Sequence, residues 1–314
     1  MNRPDIHIEQ ITQYEGHKGS IFAMVTDQAE QYLFTAGDDG MVVCWDLQNH
    51  QNEGEGVLRL GNSIYALCWI ERYRILVAGG SEGSVHFLAF DERQLVHTWR
   101  KTGDAIYGLY DDPERDCLWI LHAKGYLSVL RLTDFQQLGH QRLAQSHLRS
   151  FADLGEKNGV LIGSSDHTIR RLDVKSGSVI QEWKAHENSV FSLAVHPFGK
   201  YLLSGGRDAH LNVWDIQNDF AEIRNIPAHN FTINHIVFSP NADYFLTASR
   251  DKSMKLWDAW NFQLLKVIDA ARFAAHTHSV NRLAWLVTDN SVISCGDDRR
   301  VIRWKLSIEP PQDV

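Results

Sequence analysis

Residues 204–215 read SGGRDAHLNVWD, and His186 stands 18 residues upstream of Ser204. Acyl-transfer enzymes combine a hydroxyl, an imidazole and a carboxylate: the imidazole takes the hydroxyl proton and the carboxylate orients the imidazole. Ser204, His186 and Asp208 supply those three groups, and Trp214 adds an indole N–H to the same stretch. A nucleophilic triad is needed once, in a cleft, beside donors for an oxyanion. The competing reading is mutual satisfaction of buried polar groups, each costing about 1–3 kcal/mol if left unpaired.

Repetition decides between them. Offsets of 18, 22 and 28 residues lead from His186 to Ser204, Asp208 and Trp214. From His17 they lead to Thr35, Asp39 and Trp45; from His229 to Thr247, Asp251 and Trp257; from His276 to Ser294, Asp298 and Trp304. Four copies argue for architecture, so no catalytic residue is assigned. In three further units Leu88, Leu130 and Leu172 fill the tryptophan slot. There the hydroxyl becomes Ala78, Ile120 or Ile162, and the histidine becomes Leu60, Thr102 or Ala144. The turn position holds Glu82, Lys124 and Asp166. Losing the partners together avoids a stranded polar atom.

The seven slots fall at Trp45, Leu88, Leu130, Leu172, Trp214, Trp257 and Trp304, in steps of 43, 42, 42, 42, 43 and 47 residues. An aliphatic residue follows each histidine slot by four places: Ile21, Ile64, Ile106, Leu148, Val190, Ile233 and Val280. Within a unit, short runs rich in Val, Ile and Leu alternate with Pro, Gly and Asp breakers, which predicts β-strands. Four strands at this period predict an all-β, seven-bladed β-propeller of four-stranded antiparallel blades. Helical periodicity is missing throughout. The last unit supplies only SVNRLAW, SVISC and VIRWK before LSIEPPQDV, whose prolines suit a ladder poorly. Residues 6–14, IHIEQITQY, are predicted to close the ring as the fourth strand of the last blade, paired with Val301–Lys305.

The pairs Trp45-Asp46, Trp214-Asp215 and Trp257-Asp258, preceded by Gly16-His17 or by Ala-His, resemble WD40 repeats. The resemblance covers essentially the whole chain, 1–314, as one propeller. It departs in units two to four and in unit seven, which reads Trp304-Lys305. It implies that each His, Ser or Thr, Asp and Trp set is a buried network. It also implies a non-catalytic interaction scaffold whose protein or peptide partner docks on the channel-mouth face. Contacts there would come from the residue after the aliphatic start of each first strand: Phe22, Tyr65, Tyr107, Arg149, Phe191, Asn234 and Asn281. The residue before the turn acid is the second contact position, giving Asp38, Ser81, Ala123, Ser165, Arg207, Arg250 and Asp297. The longer link DAARFAAH adds Phe273 as a loop anchor.

Composition narrows the alternatives. The 314 residues are 44% apolar and 22% charged, with formal net charge −8. This acidic balance is a poor match to a phosphate backbone, which leaves a nucleic-acid or chromatin adaptor as the weakest alternative. An enzyme with a site at the channel mouth is the other one. Cys44, Cys68, Cys117 and Cys295 are scattered without a metal-ligand spacing and read as reduced thiols. The His276–His278 pair lacks further ligands, so no metal is expected, and no cofactor motif is found. No apolar run of 18 residues and no signal-like N-terminus occur, which predicts a cytoplasmic protein without a membrane span.

Overall fold

In each sheet the second strand is the most deeply buried and the fourth the least. Cys117–His122 and Ser291–Gly296 are buried at every position, whereas Gln94–Arg100 is exposed at most of them. That gradient reflects where the apolar residues stand: between neighbouring sheets, not on an outer skin. The computed structural model describes residues 4–49, 52–155 and 159–309. It shows seven four-stranded antiparallel sheets arranged as the blades of a propeller. The first blade comprises Ile21–Thr26, Tyr32–Gly37, Met41–Asp46 and Glu55–Arg59.

The core sits at the blade interfaces. Phe34 and Val42 of the first blade pack with Ile64, Trp69 and Leu76 of the second. Tyr14, Ile293 and Val301 of the last blade pack with Ile21, Leu33 and Trp45 of the first. Each interface therefore removes apolar area from two sheets at once, at about 25 cal/mol per Å².

Two backbone features recur in all seven blades. The turn between second and third strands places one residue in the left-handed region: Gly40, Gly83, Gly125, His167, Ala209, Lys252 and Arg299. Glycine carries this conformation without a Cβ penalty, and at Gly40 a side chain would also strike the Leu60 carbonyl. The second feature is a register shift near the start of every first strand. It falls between Ile21 and Ala23, and at the matching place in the other six blades.

The strand Asp5–Tyr14 closes the ring by pairing with Val301–Glu309, from Asp5 opposite Glu309 to Tyr14 opposite Val301. The closing strand was expected; its length was not. The ladder runs four residues past Lys305, because LSIE lies ahead of the prolines, which fall outside the described residues. The link before His276 also departs from expectation. Ala270–Phe273 forms one helical turn, capped by Asp269, whose side chain accepts from the Arg272 N–H.

Candidate functional site: the channel mouth

The four sequence-matched sets have one geometry. His17 Nε2 lies 2.8 Å from Thr35 Oγ1, and Trp45 Nε1 donates to the same oxygen at 2.8 Å. Around Ser204 the distances are 2.8 Å from His186 and 2.9 Å from Trp214. Thr247 and Ser294 repeat the pattern with His229 and Trp257, and with His276 and Trp304. The other imidazole nitrogen faces Asp39, Asp208, Asp251 or Asp298 at 2.8–3.1 Å. A carboxylate only accepts, so Nδ1 carries the proton and Nε2 accepts from the hydroxyl. The hydroxyl oxygen in turn accepts from the indole. Each aspartate also accepts a backbone N–H, from Lys18, Glu187, Asn230 or Thr277. All four hydroxyl-bearing residues are fully buried, out of reach of any substrate carbonyl. The glycines of SGG fit this packing: a Cβ on Gly206 would lie 2.5 Å from both His186 Nδ1 and Asp208 Oδ1.

Burial dominates the charge state. It holds the imidazoles of His17 and His229 below their ordinary range, against the pull of Asp39 and Asp251. The unfolded chain then takes up protons near 6.5 while the folded chain resists, so stability falls as pH drops below that value. The depressed carboxyl of Asp251 acts in the same direction, its contribution being present above 3.8 and lost only at lower pH. The melting temperature is therefore expected to decline steadily from pH 7 to pH 4.5 in a fluorimetric scan. A level profile over that range would contradict it.

The three altered blades carry polar networks of their own, centred outside the four slots. A polar residue on the third strand meets one on the fourth at a constant register. His86 contacts Ser84 and Thr98 at 2.9 and 3.1 Å. Ser128 lies between His122 and His140 at 2.9 and 2.8 Å. Arg170 pairs with Asp166 and Glu182 at 2.7 and 3.0 Å. The signal was present, since both His86, Ser128, Arg170 and Thr98, His140, Glu182 recur every 42 residues.

The register shift of each first strand builds the mouth. The residue it leaves unpaired is Phe22, Tyr65, Tyr107, Arg149, Phe191, Asn234 or Asn281. A bulge re-aims its side chain. All seven line one solvent-open cavity of about 320 Å³, together with Arg282. Phe22, Tyr65 and Tyr107 stand ring to ring at 5.4 and 5.5 Å. Arg149 lies over Tyr107 at 4.5 Å and over Phe191 at 4.8 Å, and donates from Nε to Ser165 Oγ at 2.9 Å. Burial lowers its guanidinium below the ordinary value, with Tyr107 opposing the shift. Asn234 and Asn281 do structural work: their amides donate to the Val280 and Ile21 carbonyls of the next blade, both at 2.8 Å.

The second contact position lies on the same face in every blade. Asp38 N–H donates to Ser20, Arg207 N–H to Ser189, Arg250 N–H to Thr232 and Asp297 N–H to Ser279, all at 2.8–3.0 Å. Asp38 accepts from Ser63 and Asp297 from Asn281. Arg207 and Arg250 are exposed, and among the described residues their side chains make no hydrogen bond or ion pair. Phe273 is apart from this group: it packs against the core between the sixth and seventh blades and does not line the mouth.

Below the rim the channel continues as a space of about 190 Å³. Its neck is made by the residue after each rim residue: Ala23, Ala66, Gly108, Ser150, Ser192, His235 and Arg282. Five are small; His235 and Arg282, in adjacent blades, are the two large ones. His235 Nδ1 accepts the Leu283 N–H at 3.2 Å. Burial and the neighbouring Arg282 push its imidazole down to about 3, so it is neutral and carries its proton on Nε2. This ring was missed in the sequence, although it stands at the same period as the rim.

Among the described residues no group of three or more His, Cys, Asp or Glu side chains could hold a metal, and no helix is long and apolar enough to cross a membrane. The four cysteines are free and buried. The family model described as "WD domain, G-beta repeat" matches residues 8–46, 177–215, 220–258 and 269–305, each match containing one of the four tetrads. The chain is 22% identical to striatin of Rattus norvegicus over 250 residues, 71% of this chain and 31% of that one. It is 25% identical to striatin-4 of Homo sapiens over 215 residues, 68% of this chain and 24% of that one. The matched part is thus less than a third of these relatives' own length. The four matched repeats and the seven four-stranded sheets together make this chain a WD40-repeat β-propeller.

Proposed function

We propose that the chain is a non-catalytic interaction scaffold that receives a protein or peptide partner at the channel mouth. The observation that carries this reading is the convergence of one bulged side chain per blade on a single cavity, five of them aromatic or arginine. Such side chains bury large area with few rotors or bond as a fork, which is the composition of binding hot spots. The WD40 architecture supports a role in assembly, and the burial of all four tetrad hydroxyls speaks against reading them as nucleophiles.

Replacing Tyr65 and Tyr107 together by Ala is expected to abolish co-purification of the partner while leaving the melting temperature within about 4 °C of wild type. Affinity capture with mass spectrometry, run beside a thermal scan, checks both. A partner retained at wild-type level would move the docking site away from this face.

A further inference from the structure

The described residues include two arginines buried within blade interfaces, and both are matched. Arg170 pairs with Asp166 and Glu182, and Arg303 with Asp289 and the Ser291 hydroxyl. Arg282 breaks the pattern. It stands in the neck of the channel, and its one hydrogen bond runs from Nε to the Phe22 carbonyl at 3.1 Å. Among the described residues no carboxylate lies within ion-pair distance of it. Half-buried, Arg282 lines both the mouth and the space below. A guanidinium half-withdrawn from water and without a counter-charge is well placed to bind an anion that enters the open mouth. His235 of the preceding blade lines the space below, and with Nδ1 accepting the Leu283 N–H its Nε2 carries the proton.

A cationic guest fits this mouth badly. Arg149 already lies over two of the four aromatic rings that could bind it, Tyr107 and Phe191, while Phe22 and Tyr65 pack against each other. It would also meet Arg282 below and Arg207 and Arg250 on the lip, whereas the lip carboxylates Asp38 and Asp297 already accept from Ser63 and Asn281. We propose that the partner inserts an anionic side chain, a carboxylate or a phosphoryl group on a peptide, with the Arg282 guanidinium as its counter-charge. The fork of Arg282 matches either oxyanion by two parallel N–H bonds. This rests on the reading of the mouth as the partner face and specifies what that face selects.

The test uses the full chain and an array of peptide pools. One position in each pool is fixed as Asp, Glu, phosphoserine, Ala or Lys, and binding is read by fluorescence. Wild type is expected to retain pools with Asp, Glu or phosphoserine at one position over Ala by about tenfold, and to reject Lys. Preference for phosphoserine over Asp and Glu would identify a phosphorylated partner; the reverse would identify an acidic one. Arg282→Gln is expected to erase the anionic preference, and Arg282→Lys, which keeps the charge without the fork, to retain part of it. Peptides bound through Tyr65 and Tyr107 with no anionic preference, or with one that survives in Arg282→Gln, would overturn this inference and leave the docking face standing. Failure of every pool to bind in a way that depends on those tyrosines would overturn both.

Discussion

Removal of residues 1–14 is expected to lower the melting temperature by about 10 °C or more and to make the protein self-associate. The strand Asp5–Tyr14 pairs along nearly its whole length with Val301–Glu309. It buries Ile6 and Tyr14, and Tyr14 packs against Trp45 of the first blade at 5.4 Å. Burying two large side chains contributes about 1.5–3 kcal/mol each. The Gln13 side chain accepts from Arg300 Nε at 2.7 Å, and the Ile6 carbonyl from Lys266 at 3.3 Å, so three blades lose contacts together. The deletion would also leave nine residues of edge strand bare, a template for pairing with another copy. Calorimetry and light scattering check the two consequences separately. A truncated chain that melts within about 2 °C of the full one and stays monodisperse would show that the strand is dispensable.

The sequence revealed this closure because the last unit lacked a fourth run, and a ring with a bare edge is unstable. It understated the length, because the prolines after Glu309 discredited the four residues before them. Elsewhere legibility followed from how tightly physics fixes residue type. A buried indole N–H admits few partners, so Trp45, Trp214, Trp257 and Trp304 came with their hydroxyls and imidazoles at fixed offsets. In the altered blades the polar ladder joins two strands and uses His–Thr, Ser–His and Arg–Glu in turn. One geometric demand is met by three chemistries there, so only position recurs. The neck was hidden for the same reason: Ala, Gly, Ser, His and Arg share no class, and the bulge that aims them is a backbone event. The helical turn at Ala270–Phe273 is too short to leave a periodic pattern.

The tetrads are expected to behave as units, and Ser204→Ala measures this. The substitution leaves Trp214 Nε1 and His186 Nε2 buried with no partner, at a cost of about 2–4 kcal/mol. The second blade shows how the same place is built without them, with Leu60, Ala78 and Leu88 in the equivalent slots. Changing His186→Leu, Ser204→Ala and Trp214→Leu together imports that solution, and Asp208 keeps its backbone bonds from Glu187 and His210. Each single change strands a donor or an acceptor; the triple change strands neither. The triple variant should therefore lose less stability than the three singles added together, by about 1 kcal/mol or more. Urea unfolding of all four variants gives the numbers. Strict additivity would mean that the three side chains contribute independently, and that the joint loss of Trp, hydroxyl and His in three blades has another physical cause.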